Sequence, residues 1–273
     1  MKILITGSTG FIGKNLLKKL NNHELQILEN DLTDYTKINE EIKYKNPEII
    51  IHLAARTEVE KSFYEPVHFS NINYTGTVNL VECAKTLPNL KLFVFSSTME
   101  TYGYREKAHK AIKKGFEPPY EEFDELSPQY PNASYAVAKI ACEKYLEFVG
   151  RSYNFPYCIL RQTNTYGRDD NNFFVVEQII TQMLKKDEIN LGNSKPYRNF
   201  LYIDDLINAY DTLINNIENS KFKIFCLGPP NTLSIEELVN KISYKLDWHG
   251  KINWNTKPNR PGEIYYLNSN YNH

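Results

Sequence analysis

Cysteine is scarce and scattered. The four residues, Cys83, Cys142, Cys158 and Cys226, form no C-x-x-C pair. Each lies in an apolar segment, which excludes a disulfide framework and reads as reduced core packing. The six histidines show neither H-x-x-x-H nor H-E-x-x-H spacing, so no metal centre is expected. No apolar run approaches the roughly 20 residues of a membrane span. The start, MKILITGSTG, turns glycine-rich too early for a signal peptide. A net charge of −1 leaves no basic excess to attract nucleic acid or an anionic membrane. A cytoplasmic protein with neither partner is expected, and the N-x-[ST] triplets at Asn73 and Asn132 then carry no glycan. Glycine is also thin, 12 residues in 273, so a cluster of glycines asks for a reason.

What is present is an alternation. KILIT, LQIL, EIIIHLA, KLFVFSS and YCILRQTN are short apolar runs. Between them lie helical patterns: one opening at KNLLKKL, one over 36–45, one over 66–87 and a long one over 133–151. Apolar strands that do not alternate, separated by amphipathic helices, predict a parallel sheet covered on both faces. The fold class is α/β, a Rossmann-type doubly wound parallel sheet with a smaller C-terminal α/β substrate-binding part. Residues 1–165 are read as the nucleotide-binding domain and 166–273 as mainly substrate-binding, with sheet elements interleaved near 203–228. That second part shows helical patterns over 173–186, from Ile203 and over 235–246, a strand at KIFCLG, and a loop at NSKPYRNF.

Three of the 12 glycines, Gly7, Gly10 and Gly13, stand at spacing three and three between the first strand and first helix. A β-carbon there would block a pyrophosphate from the helix N-terminus, where free N–H groups and the helix dipole favour anions. An acid after the second strand would hold the adenosine ribose, and ILENDLTD offers Glu29 and Asp31. No Arg or Lys lies between Lys19 and Lys37 to neutralise a 2′-phosphate, which favours NAD over NADP. Of twenty tyrosines, only Tyr135 has a lysine four residues on, Lys139. That spacing places both on one helix face. An ammonium beside a phenol lowers the phenol pKa from about 10 and makes it a usable base.

At this point the chain resembles the extended short-chain dehydrogenase/reductases, specifically the NAD-dependent epimerase/dehydratase family acting on nucleotide sugars. GSTGFIG is similar to the family's cofactor turn, DLTD to its adenine-contacting acid segment, and HLAA to its cofactor-lining strand end. EPVHFSNINYTGT resembles its E-P…N-x-x-G-T pattern, FVFSSTMETYG its strand with the catalytic hydroxyl, and SYAVAK its Tyr–Lys pair. Arg161, Asn164, Tyr166 and Gly167 match R-x-x-N-x-Y-G. The resemblance implies cofactor contacts from Gly7, Gly10, Phe11, Ile12, Gly13, Asp31, Leu32, Leu53, Ala54, Ala55, Asn73, Ser96, Tyr135 and Lys139. It implies catalytic roles for Thr98, Glu100, Tyr135 and Lys139. Asn164, with Arg198 in YRNFLYIDDL and Arg260 in RPGE, is implied on the nucleotide-diphosphate sugar. A guanidinium suits that task because it can bond phosphate with two parallel donors. A homodimer is likewise implied.

Within the family, each route begins with Tyr135 taking a hydroxyl proton while hydride passes to NAD, with Thr98 bonding the same oxygen. Thr-x-Glu in SSTMETYG resembles sugar 4,6-dehydratases and uronate decarboxylases, whose glutamate removes the proton beside the new ketone. The first reading is therefore a 4,6-dehydratase. The alternatives are a 4-epimerase, then a uronate decarboxylase, and remotely a non-catalytic dinucleotide-binding regulator. Met99 stands where several dehydratases keep an aspartic acid that protonates the leaving hydroxyl. The basic segment REKAHKAIKKG, residues 105–115, is read as a solvated loop or a flap at the site mouth.

Overall fold

The computed structural model describes residues 1–116, 119–169, 173–260 and 262–269. The first half runs β1 (Lys2–Thr6), α1 (Phe11–Lys19), β2 (Glu24–Ile27), α2 (Tyr35–Lys45) and β3 (Ile49–His52). Short helices α3 (Val59–Ser62) and α4 (Pro66–Ser70) lead through a π-helical turn, Asn71–Thr75, into α5 (Gly76–Ala84). Then come β4 (Leu92–Thr98), a 3₁₀ turn (Met99–Tyr102), α6 (Glu106–Lys113), α7 (Ser134–Tyr153) and β5 (Tyr157–Gln162).

The remainder comprises β6 (Asn164–Tyr166), α8 (Val175–Lys185), β7 (Glu188–Asn190), β8 (Tyr197–Tyr202), α9 (Ile203–Asn215), α10 (Ile217–Ser220) and β9 (Lys223–Leu227). It ends with β10 (Thr232–Ser234), α11 (Ile235–Leu246), β11 (Lys251–Asn253) and β12 (Tyr266–Leu267).

Six of these strands form one parallel sheet in the order β2-β1-β3-β4-β5-β9. Successive side chains leave a strand on opposite faces, and here both faces are covered. Leu4, Ile50, Phe93, Phe95 and Ile159 pack on Ile38 of α2, Leu80 of α5 and Leu146 of α7. Ile3, Ile5, Ile51, Val94 and Leu160 pack on Leu16 of α1 and on Leu206 and Tyr210 of α9. That is why these strands read as unbroken apolar runs. The chain order reverses between β1 and β3, and a crevice outside the carboxyl ends of such strands is where ligands bind in open α/β sheets.

Two segments differ from the sequence reading. NSKPYRNF is not simply a loop: its second half is β8, which pairs with β10, β12 and β6. Three partners distant in sequence supply the hydrogen bonds that an irregular local pattern concealed. The basic segment 105–115 holds a helix, α6, rather than a loop. Its His109 ring stacks on Tyr104 at 4.2 Å and meets Tyr265 edge-on at 5.2 Å, so α6 packs against the turn that carries Glu263. Glu106 and Lys110 pair along its exposed face. The C-terminal elements have their own core, with Ile179 and Met183 of α8 on Leu238 and Val239 of α11.

Candidate active site at the strand ends

The glycine turn is built by close approach. Gly7 has φ +68°, and a β-carbon on it would lie 2.8 Å from Ala54 N; one on Gly13 would lie 2.4 Å from Gly7 O. Both therefore need glycine for packing of the chain on itself. A β-carbon on Gly10 would meet only Gly7 O, at 3.2 Å, so its other side is open to a ligand. Gly10 caps α1 with no side-chain bond, and the first turn holds no acid. Phe11 and Ile12 thus offer N–H groups and the dipole's positive end to an anion, without a competing carboxylate. Opposite, the Thr6 hydroxyl bonds Leu53 N and Ala54 N, at 3.2 and 3.1 Å. His52 is held between Thr6 and Thr77 hydroxyls at 2.7 and 2.9 Å. Burial, aided by Lys139, pushes its pKa down to about 3. It is a neutral bracket that fixes Leu53, Ala54 and Ala55 beside the turn.

Asn73, buried in the π-helical turn, accepts from Arg56 N at 2.8 Å and donates to Arg56 O at 2.9 Å. It pins the loop that leaves β3. Asp31 is exposed and accepts from Thr33 N and Oγ1 through a single oxygen, which holds its pKa below the ordinary value. Leu32 is buried against Gly76. Tertiary structure adds a cation the sequence interval did not contain. Lys45 folds back to Glu29 at 3.5 Å, and also bonds Ile27 O and Glu41. Glu41 and Glu29 both claim it, so with Asp31 the neighbourhood keeps a surplus of carboxylates.

Thr98 ends β4, and its hydroxyl caps the 3₁₀ turn by accepting from Glu100 N at 3.2 Å. The same hydroxyl is near enough to the Tyr135 phenol to favour its charged form. Tyr135 lies in the first turn of α7, and Lys139 one turn on donates to Ser96 O at 2.6 Å. Thr98, Glu100, Tyr135 and Asn164 line one cavity with Ser97, Gln162, Arg168 and Glu177. Gln162 Oε1 and Glu177 Oε2 are buried there without a hydrogen-bond partner among the described residues. Buried polar atoms are rarely left so, and a polar ligand in the cavity would satisfy them.

The electrostatics correct one expectation. Lys139 does not pull the Tyr135 phenol down in the protein alone. Burial first, then the Glu100 charge, push that phenol above its ordinary value, opposed only by the Thr98 hydroxyl. Lys139 is itself buried, and desolvation brings it down to about 8. Both groups are buried, and lost solvation disfavours the charged form of each. Glu100 is half-buried. Burial raises its pKa, against the lowering pull of Arg198 and Arg260 and of a hydrogen bond from Asn132.

Arg198 is buried on β8 and lies 3.7 Å from Glu263. Arg260 is exposed yet near enough for its charge to reach Glu100 and Arg198; Pro261 of RPGE lies outside the described residues. The fold therefore brings the charges of Arg198, Arg260 and Glu263 to bear on Glu100, which alone of the four lines the cavity. Met99 points elsewhere. It is fully buried with Tyr102, Phe123 and Leu267, so an acid at this position would enter an apolar core.

Several supports are invisible to motif reading. Glu143, one turn after Lys139, is fully buried and pairs with Arg161 at 2.8 Å. It also bonds the Ser97 hydroxyl and Gln129, tying α7 to the ends of β4 and β5. Asn132 donates to Gly262 O at 2.8 Å and so ties the segment before α7 to the C-terminal turn. The buried Glu177 accepts from the backbone N–H groups of Gly167 and Arg168, each at 3.0 Å. Only Glu143 left a sequence signal, a carboxylate four residues beyond a motif lysine on the same helix face.

Known proteins resemble this arrangement. A Methanocaldococcus jannaschii protein named as a candidate UDP-glucose 4-epimerase is 31% identical, covering 97% of this chain and 88% of its own. The dTDP-D-glucose 4,6-dehydratase of Dictyostelium discoideum is 28% identical, over 88% of this chain and 61% of its own. The solved structure of Thermotoga maritima UDP-glucose 4-epimerase with UDP-glucose superposes with a TM-score of 0.87 at 26% identity, covering 100% of this chain and 90% of that one. The model of the NAD-dependent epimerase/dehydratase family matches residues 3–228. With a glycine turn, an uncapped helix end and a Tyr–Lys pair in one crevice, the chain belongs to the NAD-dependent epimerase/dehydratase family, and NAD is its cofactor.

Proposed function

We propose that the chain is a nucleotide-sugar dehydratase of the 4,6 type, working through a transient 4-ketosugar. The observation that carries this is the position of Glu100: its carboxylate lines the same cavity as Thr98 and Tyr135, where a plain oxidation–reduction needs no further acid–base group. NAD bound at the glycine turn would supply the hydride chemistry, taking hydride from C4 and giving it to C6 once water has left, with the proton taken up by Tyr135 relayed to C5. Tyr135 acts as the phenolate, which the positive nicotinamide of bound NAD would favour against burial. It accepts the hydroxyl proton of C4 while Thr98 bonds the oxygen, and Lys139, anchored on Ser96 O, keeps a positive charge behind the phenol. Glu100 then takes the proton from the carbon next to the ketone. Because Met99 is buried away from the cavity, Glu100 must also hand that proton to the departing hydroxyl, which leaves as water. A carboxylate whose pKa is raised by burial suits both halves of this transfer. Arg198 and Arg260 hold the diphosphate, and Asn164 faces the sugar.

A second reading, a 4-epimerase, is favoured by one observation: the burial of Met99 leaves Glu100 without an acidic neighbour in the turn. Mass spectrometry of products from UDP-, dTDP-, GDP- and CDP-hexoses decides between them. A product lighter by one water supports the dehydratase. An isomer of unchanged mass from every accepted substrate refutes it and leaves the epimerase.

A further inference from the structure

Arg168 has no part in the chemistry above. It follows Gly167, whose φ of +112° turns the chain from β6 toward α8. Its side chain is only 14% exposed. The guanidinium carbon lies 4.2 Å from the centroid of the Phe11 ring and 3.7 Å from that of Phe174. Among the described residues its hydrogen bonds all use Nη1, which donates to Thr165 O at 2.6 Å and approaches Glu177 at 3.4 Å. Glu177 is a poor counter-ion, since the same oxygen already accepts two backbone N–H groups. Desolvation accordingly costs this guanidinium more than Glu177 returns, and its pKa falls below the ordinary arginine value. A cation held this way is suited to an additional anion.

Its neighbour says which anion. Phe11 is the first residue of α1, and its backbone lies in the uncapped turn where an anion is favoured. The guanidinium lies over the ring of that first residue, and both Ile12 of the same turn and Arg168 line the cavity. Arg198 and Arg260, by contrast, cluster with Glu100 and Glu263. We propose that Arg168 reaches from the C-terminal half across the cofactor turn and binds the pyrophosphate of the dinucleotide, closing the site from the side opposite the helix N-terminus. This rests on NAD binding at the glycine turn. A planar fork of donors fits two linked phosphates better than an ammonium does.

Calorimetric titration of the full chain with ADP-ribose and with adenosine tests it. Arg168→Gln, which keeps a donor for Thr165 O, should weaken ADP-ribose at least tenfold and leave adenosine unchanged, with Arg168→Lys in between. The salt dependence of ADP-ribose binding should flatten in the Gln variant. A merely structural role would lower the melting temperature while both ligands kept their affinity ratio, and that result overturns the proposal. So would a loss confined to free UDP or dTDP, which would move Arg168 to the substrate diphosphate. If wild type bound no ADP-ribose, the cofactor reading itself would fail, a distinguishable outcome.

Discussion

Replacing Glu100 by Gln separates the two halves of the proposed reaction. The amide keeps nearly the same shape, and with Thr98, Tyr135 and Lys139 untouched the oxidation of the sugar carbon should survive. The elimination should not. A positioned acid–base group contributes roughly 10²–10⁴ in rate, which is ~3–5.5 kcal/mol of barrier at about 1.36 kcal/mol per tenfold. The variant should then hold reduced cofactor and a ketosugar that has kept its water. Near-ultraviolet absorbance follows the first, and mass spectrometry of the quenched mixture the second.

The pH profile gives an independent check. Glu100 must be ionised to act, and burial raises its pKa above the ordinary 4.5. Wild-type turnover should therefore fall with falling pH earlier than a solvated glutamate would dictate. Lys139, brought down to about 8 by burial, loses its charge as pH rises through that value, which sets the alkaline limb. In Glu100→Gln the acid limb of the slow elimination should vanish and the alkaline limb of the oxidation remain. If the variant converts substrate to product at the wild-type rate with no stall, Glu100 is a bystander despite its place in the cavity.

Other outcomes follow from the same geometry. Tyr135→Phe should abolish turnover while sparing the fold and nucleotide-sugar binding, because the lost interaction belongs to the transition state; near-wild-type activity would remove the phenol from the mechanism. Glu143→Gln leaves Arg161, 2% exposed, without its charge partner. Breaking such a pair costs about 3–5 kcal/mol, or ~6–20 °C in melting temperature for a chain of this size. A shift within one or two degrees in calorimetry would mean that solvent or Tyr102 supports Arg161 unaided. With Glu29, Glu41 and Asp31 against Lys45 alone, NAD should bind at least tenfold tighter than NADP, roughly 1.4 kcal/mol. Equal affinities in titration would show that Lys45 is free to take a 2′-phosphate.

Local sequence determined a good deal of this protein. The unbroken apolar strands specified a sheet covered on both faces, since no half-exposed strand could carry IIIH or FVF. The 3-3 glycine spacing specified a turn without side chains before α1. The i, i+4 spacing of Tyr135 and Lys139 specified a shared helix face. Each of these is a property of a few consecutive residues, so neighbouring sequence suffices to state it.

Only the tertiary structure decided the rest. NSKPYRNF became part strand because β6, β10 and β12 came to it from other parts of the chain. Lys45 reached Glu29 because α2 folds back along β2, bringing together residues 16 positions apart in the chain. Met99 and Glu100 are adjacent in sequence, yet the tight turn after Thr98 sends one into an apolar core and the other into the cavity. The charge on Tyr135 depends on how much water its surroundings exclude and on a carboxylate 35 positions away in the chain. Burial and long-range charge are sums over everything packed nearby, and no short stretch of sequence contains that sum.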